Sequence, residues 1–176
     1  MPKLLLFVLF SFGLGLLSCQ EATATLVPES YEQWPNTTNE VLNYPIPGHG
    51  NGERRIFMND LGFSYLDSLE NRETSQLSFP PGTLLVKQIF GSPVPQEGDE
   101  PQMITAMYKD PNHPYERGGW VWIIKNGTTG DETYLDEEFC FTCHNSANEV
   151  FPYGRQNLAG RFQDFVFYIP AEGEIE

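Results

Sequence analysis

Cysteine and positive charge are both scarce in this 176-residue chain, which has three Cys and ten Lys plus Arg against 24 Asp plus Glu. Three thiols cannot build a disulfide framework or a four-cysteine zinc site. A formal net charge of −14 with no basic cluster excludes the electrostatic footprint that nucleic-acid binding requires. The acids are scattered through loops such as GSPVPQEGDEP and DETYLDEE. They describe a solvated surface, and their field would speed encounter with a basic redox partner. No internal repeat is present, so stacked-repeat architectures are set aside.

A long hydrophobic run occurs only at the amino terminus. MPKLLLFVLFSFGLGLLSC carries one early cation, Lys3, then an apolar stretch, then small residues. That is the build of a secretory signal, too short and too weakly flanked for a retained span. It closes on Leu16-Leu17-Ser18-Cys19, which resembles the bacterial lipobox, whose cysteine is acylated and becomes the first mature residue. A chance cysteine at that place is the alternative. Several acyl chains, at about 0.8 kcal/mol per buried CH2, hold firmly where one chain would be marginal. The expected organisation is a signal peptide at 1–18, an acylated tether at 19–30 and one domain at 31–176. The protein is then exported and lipid-anchored, facing the periplasm or the cell exterior, and meets the membrane through that anchor alone.

With Cys19 assigned to lipid, the remaining thiols are Cys140 and Cys143, in EEFCFTCHNSANE. On a helix, Cys140, Cys143 and His144 stand at i, i+3 and i+4, so two sulfurs and one imidazole reach a single flat ligand. A thioredoxin-like centre would need the pair after the first strand of a βαβ unit, and here it follows several strands. Zinc would need a further ligand, for which His49 or His113 is available. Covalent attachment of haem uses all three residues: two thioethers, and His144 as axial ligand to iron. A disulfide or a metal site stays open beside it.

The rest of the chain reads as α+β, a mainly antiparallel sheet with a few helices and the CxxCH segment near its carboxyl end. ERRIFMN is a strand, and Asn59 caps a helix through DLGFSYLDSLEN with Leu61, Tyr65, Leu66 and Leu69 on its apolar face. FPPGT is a turn, LLVKQIF a strand buried on both faces, QMITAMY another, and GGWVWIIK a third that ends at Asn126-Gly127. Asn36 and Asn126 head N-x-Thr triplets of little meaning in a bacterial lipoprotein. His49 in PGHGNG and His113 in PNHPY read as loop histidines, and Trp120 and Trp122 as core.

Lys87 breaks the pattern, since it shares a strand face with Leu85 and Ile89. A buried ammonium among aliphatic side chains is costly unless paired, neutralised or covalently used. The bland alternative is a lysine snorkelling past a sheet edge. Met103, Thr105 and Met107 share one face of their strand and would present a mostly apolar wall. Methionine on a strand is more often core filler than an iron ligand, so an open or water-ligated iron is expected.

Taken together, FPPGTLLVK, YKD, GGWVWIIK, CFTCHNSANE and DFVF resemble the cytochrome P-460 family, which includes the cytochromes c′-beta. The resemblance runs from about RRIFMN to DFVF. It implies an antiparallel-sheet domain, commonly a homodimer, with one haem c bound through Cys140, Cys143 and His144. It also places Lys87 on the lysine that crosslinks to the haem edge in P-460 members. Their distal carboxylate falls on Thr105 here, and a hydroxyl is a poor base, so Glu53 is the substitute to consider. Three functions follow from the resemblance. The first is oxidation of hydroxylamine or nitric oxide at a lysine-crosslinked haem, with a redox partner protein. The second is non-catalytic binding of nitric oxide, and the third is simple periplasmic electron transfer.

Overall fold

The computed structural model describes residues 25–38, 41–43, 46, 48–49, 51–69, 76–135, 138–150, 157 and 160–167. The expected signal peptide and Cys19 lie outside them. Six strands form one antiparallel sheet: β1 (Arg54–Met58), β2 (Leu84–Ile89), β3 (Met103–Lys109), β4 (Glu116–Arg117), β5 (Trp120–Asn126) and β6 (Glu132–Tyr134). Their order is β1-β2-β3-β5-β4, with β6 also paired to β5. Helix α1 (Asp60–Asp67) follows β1, and α2 (Glu138–Asn145) follows β6.

Period-two alternation divides this sheet into two faces. One carries Phe57, Leu84, Val86, Ile104, Ala106, Val121 and Ile123, closed over by Val27 and Tyr31 from the amino-terminal segment. The other carries Met58, Leu85, Met107 and Trp122, packed with Leu66, Leu77, Phe79, Phe165 and Val166. LLVKQI is apolar on both sides because β2 lies between β1 and β3 with a core on each face.

The amino-terminal segment is bound more closely than a tether would be. Val27 is fully buried, and the Leu26 and Val27 amides donate to the Glu132 carboxylate at 2.8 and 3.0 Å. Lys125 reaches from β5 to the Val27 carbonyl at 3.1 Å and to Glu29 at 2.7 Å, while Gln88 bonds the Tyr31 hydroxyl at 3.0 Å. Packing therefore begins ahead of the Tyr31 boundary read from composition. The acidic stretch DETYLDEE likewise contains strand β6, which the charge concealed: Glu132 stands on it to hold the incoming backbone.

The Asn59 cap is present, its side chain accepting from Gly62 N at 3.2 Å. The same amide group accepts from Leu84 N at 3.2 Å and donates to Gly82 O at 2.9 Å, tying α1 to the FPPGT turn and the start of β2. Loss of such a cap costs about 1 kcal/mol. Leu61 is not on the buried face; it is 45% exposed, with Gly62 and Leu66 turned inward. A Cβ on Gly62 would meet Thr83 Cγ2 at 2.7 Å and Met58 at 2.9 Å, so the glycine sets how closely α1 approaches the sheet.

Candidate functional site

Helix α2 displays Cys140, Cys143 and His144, all half-buried, and neither cysteine is in a disulfide. The His144 Nδ1 donates to the Phe165 carbonyl at 2.9 Å, which fixes the proton there and leaves the Nε2 lone pair for a metal. Burial first, and the Lys87 charge second, push its pKa down to about 4, so the ring is neutral and ligand-competent at ordinary pH. Trp122 and Phe167 flank the imidazole, with ring centres 4.8 and 5.5 Å away.

The Phe165 carbonyl is aimed by an unusual turn. Asp164 and Phe165 both adopt positive φ, 49° and 65°, at roughly 1–2 kcal/mol each for residues with a Cβ. Asp164 offsets that with hydrogen bonds of about 1.5–3 kcal/mol each where a charge takes part. Its carboxylate accepts from Phe79 N at 2.8 Å, Lys109 Nζ at 2.6 Å and Trp120 Nε1 at 3.2 Å, and its carbonyl from Trp120 Nε1 at 3.0 Å. The DFVF segment is thus a clamp that orients the axial imidazole, a role invisible in four letters because its partners come from three distant segments. Trp120 belongs to this clamp as well as to the core.

Facing α2 is the middle of the sheet. Register places Ile56, Lys87, Thr105 and Ile124 in one row across β1, β2, β3 and β5. All four are half-buried, though buried residues surround them. Because β2 is an interior strand, Lys87 cannot snorkel past an edge. Burial lowers its pKa to about 8, helped by the nearby Arg54 charge and opposed by the thiols of Cys143 and Cys140. The amine therefore shares an electrostatic neighbourhood with both cysteines. Thr105 lies directly opposite Lys87. Met103 extends the same face, and Met107 packs into the core beside Trp122.

Two residues join the site that loop composition and charge had hidden. His49 Nε2 lies 3.2 Å from Lys87 Nζ, and its ring centre is 6.3 Å from that of His144. It is not a peripheral loop histidine. Arg54, buried on the Lys87 face of β1, acts on both Lys87 and His49. Glu53, by contrast, bonds Arg55 Nε at 2.8 Å, and alternation turns that pair to the far face, so it is not the substitute base. His113 stays apart, its Nδ1 accepting from Tyr115 N at 3.2 Å. Asn36 and Asn126 accept from following backbone amides in tight turns.

A cavity of about 620 Å³ opens at the Ile124 end of the row across the sheet, lined in part by His49, Asn51, Ile89, Gln102, Met103 and Ile124; Lys87, Thr105 and the α2 residues do not line it. The residues present fit a haem. Two thiols one turn apart, an imidazole presenting Nε2 and a half-covered apolar row opposite them match what its edge, iron and faces need. Among the described residues no cluster of three or more His, Cys, Asp or Glu could hold a metal ion by itself. No described helix is long and apolar enough to cross a membrane.

The family model for Cytochrome P460 matches residues 28–168, most of the chain. No curated protein matches it. The chain belongs to the Cytochrome P460 family, haem c proteins linked to nitrogen-oxide chemistry.

Proposed function

We propose that this family member is an exported, lipid-anchored mono-haem cytochrome that holds a small nitrogen oxide, nitric oxide above all, at a haem carried by Cys140, Cys143 and His144. The observation that carries this reading is the row of Lys87 and Thr105 facing α2. It offers an apolar wall and an amine where hydroxylamine oxidation would want a carboxylate, and none of the described residues lining the cavity is Asp or Glu. Haem, when bound, supplies the iron that takes the ligand. The chain's own part is to orient His144 through Phe165, to exclude water with Trp122, Ile124 and Met103, and to place Lys87 beside the porphyrin edge.

Oxidation of hydroxylamine or nitric oxide is the second reading, favoured by family membership and by Lys87 standing where a crosslink would form. The two separate on purified holoprotein given hydroxylamine and an artificial electron acceptor. We expect nitric oxide to bind and shift the ferrous Soret band, with no sustained acceptor reduction. Many turnovers per haem would establish the oxidase instead. Anchoring rests on the Leu-Leu-Ser-Cys19 signal, so Cys19→Ala should abolish labelling by a fatty-acid probe in cells; equal labelling of the variant would remove the anchor.

A further inference from the structure

Lys87 and His49 form a pair whose geometry leaves one atom with no visible task. We propose that His49 donates a hydrogen bond, from Nδ1, to the nitrogen oxide held on the iron face opposite His144, an inference that rests on the nitrogen-oxide reading above. The Lys87 nitrogen donates through N–H as an ammonium, and a crosslinked amine would keep one N–H, so the His49 Nε2 at 3.2 Å takes the acceptor role. A neutral imidazole then carries its proton on Nδ1. That Nδ1 is buried and has no hydrogen-bond partner among the described residues, which is costly unless something other than those residues accepts from it.

The position suits such an acceptor. The ring lines the cavity with Met103 and Ile124, on the side of the sheet that also carries Lys87, and its centre stands 6.3 Å from that of His144. Burial first, and the Lys87 charge second, hold the His49 pKa down to about 3, so it keeps a single N–H at working pH. Glycines give the loop its reach. Gly48, at φ +80°, lies so close to Phe139 of α2 that a Cβ would sit 2.9 Å from its ring, and a Cβ on Gly52 would collide with the Phe90 carbonyl at the end of β2. The imidazole is thereby seated between the haem-bearing helix and the lysine strand.

The test uses the reduced holoprotein with carbon monoxide and nitric oxide as probes. A donor polarises bound carbon monoxide and lowers its C–O stretching frequency, so His49→Leu should raise that frequency and speed nitric oxide dissociation roughly 3- to 10-fold, the loss of one hydrogen bond. His49→Gln keeps an N–H and should fall between wild type and His49→Leu, with haem content unchanged in all three. Identical frequencies and dissociation rates in wild type and His49→Leu would overturn the proposal. So would a low-spin ferric spectrum in wild type that becomes high-spin in His49→Leu, since His49 would then be an iron ligand. A wild type that binds neither gas would refute the underlying nitrogen-oxide reading, a result distinct from either.

Discussion

Boiling the holoprotein in detergent should leave its haem on the polypeptide, and replacing Cys140 and Cys143 together by alanine should release all of it. Both thiols stand on one turn of α2, outside any disulfide and three residues apart, with His144 next in sequence. Thioether bonds survive denaturation, whereas axial ligation by His144 ends when the fold does. In-gel peroxidase staining of protein matured in a host with the attachment machinery reads the difference as presence or absence. Each single variant keeps one bond and should still stain, more weakly. A wild type that loses its stain on boiling would show that the CxxCH segment does not carry covalent haem.

The second large effect concerns Lys87. If its amine bonds a ring carbon of the porphyrin, one N–H and one C–H are replaced by C–N. Two protons and two electrons leave, the electrons to an oxidant such as hydrogen peroxide, which is reduced to water. A pKa lowered to about 8 leaves roughly a tenth of the amine neutral and nucleophilic at pH 7, far more than for an exposed lysine. The expected result is a strongly red-shifted ferrous Soret band that reverts to an ordinary c-type spectrum in Lys87→Ala. Mass spectrometry of a digest should find the Lys87 peptide joined through haem to the peptide carrying Cys140 and Cys143. Recovery of the Lys87 peptide free, in stoichiometric amount, would leave an unmodified haem and strengthen the binding role.

Parts of this site could be read from the letters because each rests on local spacing. Cys140, Cys143 and His144 share a helix face by arithmetic, and Met103, Thr105 and Met107 share a strand face by alternation, while only the register shows that Thr105 lies opposite Lys87. Antiparallel strands with clear alternation declared themselves in LLVKQI and GGWVWIIK. Contacts between distant segments did not. His49 is surrounded by Gly and Pro, which signal a loop without saying what the loop wraps. Arg54 and Glu53 are adjacent, and alternation alone decides that the cation faces the site while the acid faces away. Leu61 looked periodic, yet Gly62 turned the helix. Glu132 was hidden in an acidic run because its task, holding Leu26 and Val27, begins more than a hundred residues earlier.

That embrace of Leu26 and Val27 bears on which way the molecule looks. The amino-terminal segment is fastened to the face of the sheet away from Lys87 and α2, by Glu132, Lys125 and the rear core. With Cys19 in the bilayer, as proposed, the eight residues to Val27 reach at most about 26–29 Å when fully extended. The sheet then acts as a shield, its back turned to the lipid and its haem side open to the aqueous space. Such a leash would join the bilayer to the rear of the sheet, leaving the side that carries Lys87 and faces α2 free of the attachment, for a gas from solution or a soluble electron-transfer protein to reach.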